Sequence, residues 1–294
     1  MKTIISLLLF LFVIQSLFAQ QTDWSEVEKV FGKKGSVQND VFKITYPRSD
    51  LVVKIGYFTV PPSLALTSWI GFMKAGTYAM GMNNTAMMMG DLVMVDKEVE
   101  QVLKKLLSLN LEVTALHNHL VGESPTIKYA HFSGKGDAVK LAEAIKAVLS
   151  ITGTPLSAPV ASNATNAPDW SKVEAVLGNT GKHNGLLLQY GFPRLEKLTE
   201  SNMEMPAYMG MATAVNFYMD GNRAAITGDF VLLAEEVNQV LKALTENGIS
   251  VTAIHNHMLY DNPKLFMMHF WAVDDPEKLA KGLKAALDKT NSKR

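Results

Sequence analysis

The stretch DWSEVEKVFGKKG, starting at Asp23, returns as DWSKVEAVLGNTG, starting at Asp169. A chain that repeats itself over this length folds as two copies of one unit, so every further feature is read twice. Tyr46-Pro47-Arg48 returns as Phe192-Pro193-Arg194, and from Gly90-Asp91 the match to Gly228-Asp229 runs without a gap. The copies are 146 residues apart at Asp23 and 138 apart at Gly90, so the second is shorter and the difference falls between Arg48 and Gly90. Between the copies, Ser150 to Pro168 is rich in Ser, Thr, Pro, Ala and Asn without apolar periodicity and reads as a linker. The expected organisation is a first repeat over 23–149, a linker over 150–168 and a second repeat over 169–291. At 294 residues, two domains is also what chain length favours.

Each copy opens with a short amphipathic helix, for which Asp23 is the expected cap and Glu26 its capping-box partner. Alternating runs follow, VFKITY from Val41 and LVVKIGYFTV from Leu51, and read as strands. Val99, Val102, Leu103 and Leu106 recur at helical spacing and predict a helix over about 97–109. LEVTALHNHL and TIKYAHF, joined by VGESP, predict a hairpin, and the copy closes with an amphipathic helix from Asp137 or Asp275. The expected fold class is α+β: two tandem homologous domains, each a mainly antiparallel sheet with helices packed on one face.

Six of the seven histidines lie on these hairpins. His117, His119, Glu123 and His131 in the first copy match His255, His257, Asp261 and His269 in the second, with identical spacing. Residues two apart on a strand share a face, so His117 and His119 project together, and pairing His131 opposite His117 would bring a third imidazole to them. Three imidazoles and a carboxylate are the donor types of zinc, copper or iron sites, zinc being favoured. The six histidines are therefore the candidate metal ligands, one site per repeat, with Glu123 and Asp261 as candidate catalytic bases. Asp91 and Asp229 are further candidates for oxygen ligation or proton transfer. A cluster of histidines that merely hydrogen-bond one another is the competing structural reading.

These elements together, Gly90-Asp91, His117-Asn118-His119, Glu123-Ser124-Pro125 and His131-Phe132 with their second copies, resemble the LppY/LpqO family of bacterial lipoproteins, a domain of unknown function. The resemblance covers nearly all of both repeats and implies an exported protein, without implying an activity. The chain departs from lipoprotein members in having no cysteine, and Ala130 stands where Met268 keeps the M-H-F element. Export is also what the first residues suggest. One Lys precedes an apolar run from Ile4 to Val13, Gln15 and Ser16 break it, and Ala19 offers a cleavage site, so 1–19 reads as a signal peptide. The run is shorter than the ~20 residues of a spanning helix, so no stable membrane anchor is expected in the mature chain.

Other chemistries fit less well. The cupin signature shares H-x-H and a carboxylate four residues on, but the third His follows in the same hairpin and the flanking helices suit a cupin barrel poorly. Lys plus Arg equal Asp plus Glu, and nothing resembles a basic groove, so nucleic acid is not an expected partner, and the H-N-H string does not make a nuclease. Met80, Met82, Met87, Met88, Met89 and Met203, Met205, Met209, Met211 raise a copper-handling alternative, against which stands their ordinary use as core fillers. The other alternative is a non-catalytic protein that binds a small-molecule or envelope ligand.

Overall fold

The computed structural model describes residues 22–75, 85–157 and 167–294. The signal segment, Met80, Met82 and linker residues 158–166 lie outside the described residues. Each repeat is one six-stranded antiparallel sheet with helices on one face. In the first, the strand order is Ser36–Gln38, Val41–Pro47, Thr67–Lys74, Thr85–Val95, Ile127–Asp137, Glu112–His117. The second repeats it as Lys182–Asn184, Leu187–Pro193, Ala212–Asp220, Arg223–Leu232, Phe266–Asp274, Ser250–His255.

Alternation along the strands gives each sheet two apolar faces. One carries Phe42, Ile70, Phe72, Met88, Leu92 and Phe132, and the helices Ser25–Phe31, Asp96–Ser108 and Ala138–Leu149 cover it with Val27, Val102, Leu106, Leu141 and Ile145. The other face meets the opposite repeat. Val93 and Tyr129 pack with Leu187, Ala225 and Trp271 in one cluster, and Met87 and Met89 pack with Met209, Val231 and Met267 in another. The molecule is thus layered helix, sheet, sheet, helix, and the strand faces opposite the helices are buried between the repeats.

Local details depart from expectation where side chains find better partners. Asp23 lies one residue too early to cap the first helix; its Oδ1 accepts the Ser25 N–H at 2.9 Å, while Glu26 turns outward to Lys29. The long run from Leu51 is a hairpin rather than one strand, Val53–Ile55 with Phe58–Val60, because Gly56 takes a left-handed φ of 58°. The carboxylate half of a capping box occurs instead at the second helix of each repeat, where the N-cap residues Val95 and Leu233 have no accepting side chain. Glu98 accepts the Val95 N–H at 3.0 Å and Glu236 the Leu233 N–H at 2.8 Å. The same carboxylates bind the Arg of each Tyr/Phe-Pro-Arg motif: Arg48 donates to Glu98, Asp50 and the Val93 carbonyl, and Arg194 to Glu236, Glu196 and the Val231 carbonyl. These guanidiniums are buried with all their charge answered, which makes them anchors of sheet to helix.

Candidate metal centre

Gly-Asp and His-Phe turn out to be cross-strand partners. Gly90 faces Phe132 and Asp91 faces His131; in the second repeat Gly228 faces Phe270 and Asp229 faces His269. The glycine is needed on the helix side, where a Cβ at Gly90 would lie 2.3 Å from the Trp69 carbonyl oxygen and 2.7 Å from the Phe132 ring. On the opposite side, the aspartate and histidine point together into the layer between the sheets.

His131 pairs with Ala115 rather than with His117, after a bulge between Val113 and Ala115. His117 faces Tyr129, two residues along, and a shift of two keeps His117 and His131 on one face. The expected third imidazole therefore arrives by a different register.

The expectation was one site per repeat; one donor set, Asp229 with His255, His257 and His269, lies within the second repeat, and the other two cross between repeats. The two hairpins meet across the layer, and their histidines form one group. His117 stacks on His255 with ring centroids 3.6 Å apart, His119 lies 3.8 Å from His269, and His131 lies 3.9 Å from His257. The last two contacts are reciprocal, the mark of a two-fold relation between the copies. Backbone anchors obey the same relation: Thr114 Oγ1 donates to the His257 carbonyl at 2.6 Å and Thr252 Oγ1 to the His119 carbonyl at 2.7 Å. These threonines stand three residues before each H-N-H in both copies; their repetition was visible, their reach into the other repeat was not.

The aspartates complete the group. Asp91 Oδ2 lies 3.2 Å from His119 Nε2, and Asp229 Oδ2 lies 2.9 Å from His257 Nε2. Four ring nitrogens are committed to backbone carbonyls: Nδ1 of His131 to Gly90, of His269 to Gly228, of His117 to Asn118 and of His255 to Asn256, at 3.2, 2.8, 3.4 and 2.9 Å. Donation from Nδ1–H leaves Nε2 with its lone pair, the arrangement by which proteins orient metal-binding imidazoles. Nε2 of His117, His131, His255 and His269 and Oδ1 of both aspartates are buried without a hydrogen-bond partner, while Nε2 of His119 and of His257 each face an aspartate Oδ2. Donor atoms converge to within 4.8 Å in three sets: Asp229 with His255, His257 and His269; His117 with His119 and His269; His117 with His131 and His255. Two of the three sets mix repeats.

Burial pushes the imidazoles of His117, His119, His131 and His269 below the usual value, and that of His255 down to about 3, so they are neutral near pH 7 and competent as ligands. Burial, reinforced by the Asp229 charge, raises the Asp91 carboxyl well above the usual range. Burial of Asp229 works the same way but is outweighed by the imidazoles of His269 and His257, which hold it low. Tyr129 lies flat on His119, with ring centroids 3.6 Å apart, and burial keeps its phenol protonated.

Glu123 and Asp261, expected as bases, are placed differently. Each lies on a two-residue strand of a small three-stranded sheet and accepts a backbone N–H four residues on, Glu123 from Ile127 at 3.0 Å and Asp261 from Leu265 at 2.7 Å. Asp261 also holds Lys264 at 2.6 Å. Neither belongs to any of the three donor sets. Their fixed distance from the H-N-H motif reflects the turn. Among the described methionines, Met88 packs under the helices, while Met87, Met89, Met205, Met209 and Met211 fill the apolar layer between sheets.

A cavity of about 490 Å³ opens between the sheets and reaches Asp91, His119, His131, Asp229, His257 and His269. The centre is therefore accessible from one side. Among the described residues, no helix is long and apolar enough to cross a membrane.

None of the curated proteins matches this chain. Two solved structures are among those matched: the regulatory subunit of aspartate kinase from Thermus thermophilus, at 13% identity over 70% of this chain and 93% of that one with a TM-score of 0.21, and the trimeric bacterial microcompartment shell protein PduB, at 12% identity over 87% and 89% with a TM-score of 0.20. A family model matches residues 25–151 and again residues 171–289. By that match, twice over, the chain belongs to the family described as Domain of Unknown Function (DUF1259).

Proposed function

We infer that this is an exported metal-dependent enzyme with a single centre shared by its two repeats, holding zinc and acting on a small molecule in the adjoining cavity. What carries the reading is the convergence of buried imidazoles and carboxylates in which Nε2 of His117, His131, His255 and His269 and Oδ1 of both aspartates have no hydrogen-bond partner. Leaving so many polar atoms unanswered costs about 1–3 kcal/mol each, a cost that coordination removes. Neutral imidazole and carboxylate suit zinc, and the two three-histidine donor sets would leave it a coordination position open.

A bound zinc ion would polarise a substrate oxygen or bring its water towards a pKa of about 7. The chain's own groups do the rest. Carbonyls of Gly90, Gly228, Asn118 and Asn256 hold the imidazoles in one tautomer. Asp91, which stands outside the three donor sets with Oδ2 3.2 Å from His119 Nε2, is placed to take or give a proton, a role the sequence had assigned to Glu123 and Asp261. Access through the cavity favours catalysis over a closed structural site.

The test is elemental analysis of untagged full-length protein. At least one zinc per chain, removable by chelation and restored on adding zinc, is expected. Protein that takes up no zinc, copper or iron at micromolar concentration near neutral pH would overturn the reading.

A further inference from the structure

The metal-bearing row of each sheet continues beyond the aspartate, and there the two copies differ. In the first repeat, directly paired residues run Ala115, His131, Asp91, Trp69, Thr45 across the strands. In the second, they run Ala253, His269, Asp229, Ala214, Gly191. Where the first copy has an indole and a hydroxyl, the second has been cut back to a methyl and a hydrogen, and the cavity occupies the space between them. One row further, Lys43 pairs with Gly71, and its counterpart Gln189 pairs with Asn216. The donor groups are near-symmetric; the cavity walls are not.

Lys43 is the one lysine or arginine among the described residues of that wall. Its ammonium lies 4.3 Å from the Trp69 ring centre and 4.5 Å from that of Tyr208, and no carboxylate among the described residues answers it. Tyr208 comes from the other repeat, on the short turn Ala207–Met209, and is fixed by a 2.7 Å hydrogen bond to Ser36 Oγ. Aromatic faces hold a cation in place without neutralising it. On the facing wall Gln189 Nε2 donates to Asn216 Oδ1 at 2.9 Å, which presents amide groups rather than charge.

We propose that this cavity is the substrate pocket of the centre and selects a small anion, its charged oxygens bound by Lys43 between Trp69 and Tyr208 and its other end reaching the histidine-aspartate group. The assignment rests on the metal reading for that second end. Asp91 and the strand bearing Lys43 are two strand spacings apart, ~10 Å, which sets the ligand's reach between the two ends at a few bonds. Desolvation lowers the Lys43 ammonium to about 8, so it still carries its charge at neutral pH and gains from an anionic partner.

Calorimetric titration of full-length protein, zinc-loaded and zinc-free, with glutarate, inorganic phosphate and the neutral glutaramide tests this. The wild type should bind at least one of the two anions about 10-fold or more tightly than glutaramide, and which one it prefers identifies the anionic group. Lys43→Gln, which installs the residue of the second copy, should abolish that preference, and Lys43→Arg should retain it, both with unchanged zinc content and melting temperature. Equal binding of anion by wild type and a folded Lys43→Gln, or no preference for either anion, overturns the proposal. Should Lys43→Gln fail to fold, loss of the preference in Lys43→Arg and in Trp69→Phe alike would overturn it as well. Zinc content is read separately. Lys43-dependent anion binding to protein that takes up no metal removes the metal reading and the pocket's link to it, leaving an anion site alone.

Discussion

His117 and His255 stack with ring centroids 3.6 Å apart and planes 12° from parallel, one from each repeat, at the point where the two copies meet. Residues 138 positions apart thus share one spot, and two of the three donor sets draw on both repeats.

Removing one ligand should consequently affect the whole centre. For His119→Ala, whose ring lies 3.8 Å from His269, metal affinity should fall by more than the roughly 10–100-fold that follows loss of an outer partner, and total bound metal should fall with it. Equilibrium titration with a zinc indicator measures this. Retention of a full, unperturbed second-repeat site would support independent sites instead.

The carboxylates should separate by role. Asp229→Asn removes a member of a four-residue donor set and should reduce metal affinity, whereas Glu123→Gln disturbs only the loop bond to Ile127 and should cost stability of about 1 kcal/mol with metal content intact. Melting curves alongside metal analysis distinguish them. Metal loss in Glu123→Gln with retention in Asp229→Asn would reverse the assignment.

Acid should destabilise the metal-free protein early. Unfolded histidines take up protons as pH falls through about 6.5, while His255 in the folded chain resists until about 3. Between those values the unfolded state binds more protons, so stability is fully present above 6.5 and declines towards 3. Denaturant midpoints of chelated protein between pH 8 and 4 should trace that decline. A flat profile through pH 5 would show that the imidazoles are not buried as neutral groups.

Breaking an anchor should unfold rather than inactivate. Glu98→Ala leaves the Arg48 guanidinium, 1% exposed, with only Asp50 and the Val93 carbonyl, and should cost about 3–5 kcal/mol while the folded fraction keeps its metal. A change below 1 kcal/mol in chemical denaturation would show that Asp50 alone suffices.

Cleavage of the linker should leave the halves together. Val93 and Tyr129 are packed against Trp271, and Met87 against Met267, in apolar layers that neither repeat can hide alone. Nicked protein should co-elute as one species and retain metal. Separation into two folded, metal-binding halves would contradict the shared centre.

Much of this was legible in one dimension. Duplicated segments announced the two domains, periodicities of two and of 3.6 located most strands and helices, and identical His spacing marked the residues that converge. Asp91 was in view as an alternative, because a Gly-Asp pair recurring in both copies asks for an explanation; its register opposite His131-Phe132 needed the sheet. Glu123 and Asp261 stand outside the donor sets for a physical reason. A carboxylate four residues from a His in sequence is drawn first to the N–H groups of its own turn, and Ile127 and Leu265 supply them.

What the sequence determined by itself was chiefly local: two units, most of their elements, and which side chains share a face of a strand, because these follow from period and propensity along the chain. How those faces are paired was decided only in three dimensions. Two sheets each covered by helices on one side still carried an apolar second face, and burying one against the other brought His117 to His255, His131 to His257 and Lys43 to Tyr208. The free energy that made one centre out of two motifs is that of hiding Val93, Met87 and their partners from water, a quantity that depends on the opposing surface and is written in neither repeat alone.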